Sequence, residues 1–560
     1  MIREQIAQWV RQAIDAAATA QGWEISELPA VEVEVPRNPE FGDYATNAAM
    51  ALTRLLRRNP REIAALLRAH LPPQTEEWME RVEIAGAGFL NFYLRPGWAG
   101  KVVRHILTED QRYGETQVGA GKRALIEFVS ANPTGPLSLG HGRNAAVGDT
   151  LARVLEANGY KVEREFYIND GENSTQIRNF ALSVWARYRQ LKGEPAEMPE
   201  DGYFGEYVID IARWIAEHHG ESLVQDDAEA TLKRFEQVAT QLMLEMQKQD
   251  LQDFRVVFDR WFSEQSLYES SAVQKTLEQL KANGYAYEAE GALWLRSTAF
   301  GDEKDRVLVR ANGVPTYLAA DVAYHRDKYE RGYDMMIDLW GADHHGYVAR
   351  MKAAMAALGY DPSKLHILIY QLVNLYRGDE VVRMSKRAGD LITLREVMDE
   401  IGVDALRFFY MLRSHDSTLD IDLELAKEQS EKNPVYYVQY AHARICSIER
   451  TAQERGVALP PFEEVPLEAL THPAEVALIK QLADLPHEVM LAGTQFAPHR
   501  LTAYALDTAR AFHSFYTECR VLGAETEALQ AARLWLVKAT RLVLAKTLSL
   551  LGVSAPERME

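Results

Sequence analysis

Glu127 stands in the middle of an apolar run, ALIEFV (124–129), that reads as a strand buried on both faces. A carboxylate there is costly unless a cation meets it. The cation is either a lysine or arginine of the chain or the guanidinium or amine of a ligand. Just downstream, GPLSLGHGRN (135–144) is a glycine- and proline-rich loop that opens a helix. The free N–H groups and dipole of a helix start suit an anion such as phosphate. His141 and Arg143 stand at that start, and His141 offers a proton-bearing donor to a phosphoryl oxygen in a transition state. The plainer alternative is a tight turn with a capping histidine. WGADHH (340–345) ends a second apolar strand, where open α/β sheets bind ligands, and Asp343 there can accept from ribose hydroxyls. His344 and His345 point apart on a strand, and no cysteine or third histidine stands at ligand spacing, so no metal site is expected. In RMSKRAG (383–389), Lys386 and Arg387 lie in a loop that Gly378 and Gly389 allow to move; mobile cations can clamp a polyphosphate. A Met-Ser-Lys tripeptide alone is common by chance.

These residues need a frame. ALIEFV, the turn-rich SANPTGPLSLG, the helical HGRNAAVGDTLARVLEANG and the strand YKVEREFYIND form a βαβ unit, the opening of a doubly wound parallel sheet. That Rossmann-like α/β domain is expected over 120–402, with a charged helical insertion at about 175–300. Before it, VEVEV (31–35) and GFLNFYL (88–94) read as strands, and 44–58 and 60–70 as helices, the second opened by Pro60. This predicts a small α+β domain over 1–110, joined by the glycine-rich 111–123. From 403 to 560 strands nearly vanish and an all-α helical bundle is expected.

Composition bounds the rest. A chain of 560 residues, 47% hydrophobic and 26% charged, is a multidomain globular protein. No apolar run approaches the ~20 residues of a membrane span, and the charged N-terminus MIREQIAQWVRQAI reads as an amphipathic helix, not a secretory signal. Cys446 and Cys519 cannot build a disulfide framework, so a reducing cytoplasm is expected. The net charge of −19 argues against nucleic acid, except at two stretches. Residues 54–68 hold Arg54, Arg57, Arg58, Arg61 and Arg68 against Glu62 alone. Residues 529–549 hold Arg533, Lys538, Arg541 and Lys546 against no acid. Each is either an RNA-facing patch or a solvated helix face.

Taken in order, these motifs resemble the arginyl-tRNA synthetase family of class I aminoacyl-tRNA synthetases. GHGR is similar to that class's HIGH element and RMSKR to its KMSK loop. The narrower match is carried by IEFVSANPTGPLSLGHGRNAAVGD, REFYINDGENSTQI, PTYLAADVAYHRDKY, LWGADHHGY, DALRFF, DSTLDIDLELAKEQSEKNPVYYVQYAHARI and LGVSAPERM, with NPEFGDYATNAAM and GAGFLNFYL in an extra N-terminal domain. The resemblance implies ATP-dependent attachment of L-arginine to tRNA-Arg through an arginyl-adenylate, transfer to the terminal 2′-hydroxyl, and activation that requires bound tRNA. It implies His141 and Lys386 as catalytic residues. ATP contacts are implied at Ser138, Gly140, His141, Arg143, Asn144, Gly341, Asp343, Met384, Ser385, Lys386 and Arg387. Arginine contacts are implied at Glu127, Asn132, His141, Tyr317, Asp321 and His344; Tyr317 and Asp321, four apart in a helix, share a face. The implied partners are tRNA-Arg, ATP as its Mg²⁺ complex and L-arginine, with no membrane and no tightly bound metal or organic cofactor, in a monomer. One departure stands out: the first HIGH position is Ser138 in place of histidine. Ser138 donates one neutral hydrogen bond, so its loss is expected to cost little. In the tail, Tyr436, Tyr440 and Arg444 fall on one helical face. They suit stacking of anticodon bases; their alternative is packing inside the bundle. A lysine-specific synthetase, a nucleotidylyltransferase and a non-catalytic RNA-binding paralogue are the rival readings.

Overall fold

The computed structural model describes residues 2–25, 28–171, 174–382 and 391–559. Helix α1 (Ile2–Gln21) buries Ile6, Val10, Ala13, Ile14 and Ala17 at helical spacing. They join the core of a four-stranded antiparallel sheet built from β1 (Val33–Glu34), β2 (Tyr44–Thr46), β3 (Met79–Ala85) and β4 (Phe89–Leu94). Tyr44–Thr46, within a stretch expected to be helical, is a strand because all three residues are buried against β4. Helix α2 (Pro60–Ala69) starts as anticipated: Asn59 accepts from the Arg61 N–H and proline sits in the first turn.

The second region opens with β5 (Arg123–Glu127), α3 (Leu139–Ala157) and β6 (Lys161–Ile168). Three helices follow, α4 (Thr175–Leu191), α5 (Glu206–His218) and α6 (Ala228–Asp253), with their own apolar cluster around Phe180, Val208, Ile211 and Phe235. The insertion, expected to be helical, also carries strands. Strand β7 (Arg260–Ser263) pairs with β6, and β8 (Ala286–Ala289) and β9 (Ala292–Leu295) form a separate antiparallel sheet with β10 (Arg306–Val309), which follows the insertion. β7 is an edge strand, half exposed, so its sequence carries no apolar run to announce it. Helix α7 (Tyr317–Glu330), β11 (Met335–Gly341) and β12 (Leu365–Tyr370) complete the unit. The five parallel strands lie in the order β12–β11–β5–β6–β7. The chain thus enters in the middle, winds to one edge, returns and winds to the other. The reversal falls between β5 and β11, where Glu127 is in register with Asp338. Beyond the carboxyl ends at such a reversal a doubly wound sheet leaves a crevice.

Two glycines bring α3 close to its neighbours. A Cβ on Gly148 would lie 2.3 Å from the Phe128 ring, and one on Gly142 would lie 2.6 Å from the Tyr410 hydroxyl. After β13 (Val373–Arg377) and β14 (Glu380–Val382) come α8 (Leu394–Ile401) and α9 (Val403–Tyr410); β15 (Leu419–Asp422) then pairs in parallel with β13. Helices α10 (Pro434–Glu454), α11 (Arg500–Glu518) and α12 (Glu527–Leu551) dominate the C-terminal bundle. The bundle meets the N-terminal region through Arg3–Asp484 (2.5 Å) and Lys480–Asp43 (2.6 Å).

Candidate active site

The loop after β5 is bent by its own backbone. The Ser130 N–H donates to the Phe128 carbonyl at 3.0 Å across Val129, whose φ is +66°, and Ser130 itself has φ +45°. A γ-turn with a positive central φ is rare and strained, the more so at a β-branched residue. Asn144 holds it. Its Oδ1 accepts from the Val129 N–H (2.8 Å), and its Nδ2 donates to the Leu339 carbonyl of β11 (3.1 Å). The bend directs the Ser130 hydroxyl back to Glu127 Oε1 at 2.9 Å.

Glu127 is buried, 6% exposed. Its other oxygen accepts from Lys328 Nζ at 2.5 Å, and Lys328, fully buried on α7, also donates to Asp338 at 2.7 Å. Of the two cation sources left open by the sequence, the chain supplies one. Burial opposes the charge of Lys328, but Asp338 and Glu127 hold it protonated. Burial pushes the Glu127 carboxyl up, against the pull of Lys328. Glu127, His325 and Asp338 are spaced as metal ligands would be, yet Lys328 already bonds two of the three.

Two other carboxylates have no such partner. Asp321, one turn into α7 from Tyr317, accepts from the Tyr347 hydroxyl at 2.8 Å, and desolvation raises its carboxyl. Glu264, at the carboxyl end of β7, is 5% exposed; burial first, then Asp321 and Asp170, push it up to about 7. Neither is within ion-pair distance of a Lys, Arg or His among the described residues. Asp170, at the end of β6, accepts from the Ser263 hydroxyl and the Gln265 N–H. Near them lies the buried Tyr167 hydroxyl, beside Glu264. Glu264 is not among the residues expected from the sequence, because its only signal is a position after an edge strand that the sequence does not reveal. Tyr317 opens α7 with its side chain 64% exposed. Asn132 is fixed between Gln176 and Asn169 (2.7 and 2.9 Å).

The nucleotide side is built on the start of α3. Ser138 is its N-cap. Its hydroxyl accepts from the His141 N–H (3.3 Å), and its own N–H donates to His141 Nδ1 (3.1 Å). An Nδ1 that accepts leaves the proton of a neutral ring on Nε2, so His141 presents an N–H donor outward. Burial lowers its pKa to about 4, which keeps it neutral. Ser138 thus has a structural part that the sequence did not suggest: it caps the helix, a contribution to stability of about 1 kcal/mol, and orients the His141 ring. Gly140 lies inside the same turn.

Two implied ATP contacts have their polar groups bonded within the protein. Arg143 is fully buried, and its guanidinium donates to the backbone carbonyls of Gln371 (2.8 Å) and Ser414 (2.8 Å). Asn144, 1% exposed, spends its amide on the backbone of Val129 and Leu339. Gly341 ends β11, where a Cβ would come within 2.6 Å of Asp343 Oδ1. Asp343 and His344 follow on a short 3₁₀ turn, 3.4 Å apart and both exposed. Met384, Ser385, Lys386 and Arg387 lie outside the described residues. The chain that follows them returns to the cap turn: Leu139 N–H bonds the Ile392 carbonyl, and Leu394 N–H the Leu137 carbonyl.

Far from this crevice, α10 presents the tail motif. The Tyr436 and Tyr440 rings stack at 6.0 Å with 11° between planes, and Tyr440 stacks on His513. Arg444 lies 5.5 Å from the Tyr440 ring and 4.9 Å from that of Tyr516. Beside them opens a recess of about 610 Å³, lined by Arg444, Arg455, Tyr516 and Arg520 among others.

Comparison with known proteins gives one answer along the whole chain. Residues 4–94 match the arginyl tRNA synthetase N-terminal domain, residues 102–422 the class I (R) tRNA synthetase catalytic domain, and residues 438–559 the DALR anticodon binding domain. The chain is 51% identical to an arginine–tRNA ligase of Heliobacterium modesticaldum, over 100% of this chain and 99% of the relative. It is 52% identical to one of Carboxydothermus hydrogenoformans, over 97% of each. It superposes on the Thermus thermophilus arginyl-tRNA synthetase with a TM-score of 0.78 at 25% identity, covering 100% of both chains.

Proposed function

The chain belongs to the arginyl-tRNA synthetase family, and from that premise we propose how its residues divide the reaction. The chain ligates L-arginine to tRNA-Arg at the expense of ATP, in protein synthesis. The arginine carboxylate attacks the α-phosphorus of ATP and pyrophosphate leaves; the 2′-hydroxyl of the terminal adenosine then attacks the adenylate carbonyl and AMP leaves. No covalent enzyme intermediate forms. The protein positions the reactants and stabilises phosphoryl charge.

The observation that carries the site reading is the pair of desolvated carboxylates without an internal cation, Asp321 and Glu264. A guanidinium offers planar donors to two carboxylates at once and is the natural occupant. Tyr317 and Asn132 border the arginine, while Glu127, held by Lys328 and Ser130, fixes the wall behind it. His141 Nε2–H faces the α-phosphate as a neutral donor, with the α3 dipole adding to it. Lys386 and Arg387 are the clamp on the outgoing pyrophosphate. ATP enters as its Mg²⁺ complex, with Asp343 and Gly341 at the ribose and adenine side and His344 at the rim. The arginines of 54–68 give the N-terminal domain its tRNA surface, and Tyr436, Tyr440 and Arg444 with the adjoining recess hold anticodon bases in a bundle that starts near 434. The enzyme works as a cytoplasmic monomer and activates arginine only with tRNA bound. Among the described residues no helix is long and apolar enough to cross a membrane.

The test is ATP–pyrophosphate exchange with arginine or lysine, with and without tRNA. Asp321→Asn is expected to raise the arginine KM by about tenfold to a hundredfold, the worth of a charge-assisted pair, with little change in the ATP KM. Equal effects on both substrates would sink the assignment. Glu264 adds a pH signature. Its carboxyl is raised to about 7 in the free enzyme, and guanidinium binding needs it ionised. Arginine affinity should therefore fall as pH drops below 7, by up to about tenfold per unit, and Glu264→Gln should flatten that profile.

A further inference from the structure

The loop that carries Asn132 has an unusual hydrogen-bonding problem. Its sequence, ANPTGP, places proline after Asn132 and again after Gly135. Proline lacks an N–H, so the loop has few donors of its own for its carbonyls. The helices between β6 and β7 supply them. Gln247 on α6 is fully buried, and its Nε2 donates to both the Asn132 carbonyl (2.9 Å) and the Gly135 carbonyl (2.8 Å). These are the two carbonyls that precede the prolines. The hydroxyl of Tyr207 on α5 donates to the carbonyl between them, that of Thr134, at 3.1 Å. The Gln247 Oε1 is buried without a partner. The flipped amide would set that oxygen against two carbonyl oxygens, so the double donation fixes the orientation.

Downstream of the brace lie Ser138 and His141, and upstream lies the strained turn at Val129–Ser130 that aims Ser130 at Glu127. A strained turn persists only where its surroundings over-determine it. Asn144 grips it and ties it to β11, and Gln247 and Tyr207 grip the residues that follow. The same α6 is tied to the chain on the far side of the cap turn, since Asp250 and Asp253 both accept from Arg395 on α8 (2.7 and 2.5 Å).

We infer that Gln247 and Tyr207 are positioning residues for arginine activation: through three backbone carbonyls of one loop, the helical insertion sets where Asn132 stands against the arginine pocket. The inference rests on the arginine site proposed above. The insertion is thereby a working part of the active site.

Two variants of the full-length enzyme test this. Gln247→Met keeps length and bulk and removes both donors; Tyr207→Phe removes one hydroxyl. In tRNA-supported ATP–pyrophosphate exchange, Gln247→Met is expected to raise the arginine KM and lower kcat, together by about tenfold or more, with the ATP KM and the tRNA dissociation constant nearly unchanged. Tyr207→Phe should shift the same parameters in the same direction by about twofold to fivefold. If Gln247→Met does not fold, Tyr207→Phe decides. Arginine parameters within twofold of wild type in folded variants, or parallel losses for arginine and ATP, would overturn the brace. Asp321→Asn run alongside separates the two readings. If it raises the arginine KM while both brace variants are silent, the brace fails and the arginine site stands. If all three are silent, the arginine site falls and the brace with it.

Discussion

The two basic stretches of this acidic chain have similar composition and opposite surroundings. On α12 every cation has an internal partner. Arg533, 5% exposed, meets Glu475 at 2.6 Å; Arg541 meets Glu449 at 2.5 Å; Lys546 meets Glu115 at 2.8 Å; and Lys538 lies over the Trp535 ring. In residues 54–68, Arg54, Arg57, Arg58, Arg61 and Arg68 are all exposed, and none is within ion-pair distance of a carboxylate among the described residues. Arg61 reaches only the Gly86 carbonyl, and Arg58 lies over Trp23. A run of cations on a helix therefore says nothing of its partner until its neighbours are known. The α12 cations fasten the bundle; those of 54–68 repel one another and are open to a polyanion. In a chain of net charge −19 that makes them a local reversal of sign on which RNA phosphates can settle.

The comparison can be broken at either end. The largest effect is expected from Arg533→Met, which leaves Glu475, 1% exposed, without its cation. Breaking a buried pair costs about 3–5 kcal/mol, read by chemical denaturation; a loss below about 1 kcal/mol would mean the α12 cations are no fastening. Next is the triple variant Arg54→Ala, Arg57→Ala, Arg61→Ala. Stability should hold within about 1 kcal/mol, while tRNA affinity falls about tenfold or more. The slope of log affinity against log salt should shrink by roughly one for each phosphate that is no longer neutralised. An unchanged salt slope would return the ridge to a solvated face. Smaller again is Tyr440→Ala, at about 1–3 kcal/mol of tRNA binding for a stacked base, with exchange falling in step if activation waits for tRNA. Normal affinity in the folded variant would assign the Tyr436–Tyr440–His513 stack to packing alone. Smallest is Lys538→Ala, which lacks an ion pair and should change neither stability nor tRNA binding by more than about 0.5 kcal/mol.

The frame of the active site was legible because its signals are local. The glycine- and proline-rich turn at 135–142 and the strand and helix on either side of it lie within one short segment, although the cap fell to Ser138 where the sequence suggested a histidine. For the same reason Tyr317 and Asp321 could be set on one helical face. Arg143 shows the complementary limit. It stands in that segment, but its acceptors belong to residues 371 and 414. No local pattern tells a phosphate-facing arginine from one that bridges distant carbonyls.

The sequence by itself determined the βαβ opening, the doubly wound class, the helical tail and the contiguous motifs that mark the family. All of these rest on periodicity and on short-range geometry. Tertiary structure alone decided where the charges went. Glu127 meets Lys328 from a helix two hundred residues on, Glu264 enters the pocket through an edge strand with no sequence signature, and only one of two basic stretches is left open. The physical reason is that the energy of a buried or half-buried charge is set by what lies within a few ångströms of it, and in a sheet wound outward from its middle those neighbours come from distant parts of the chain.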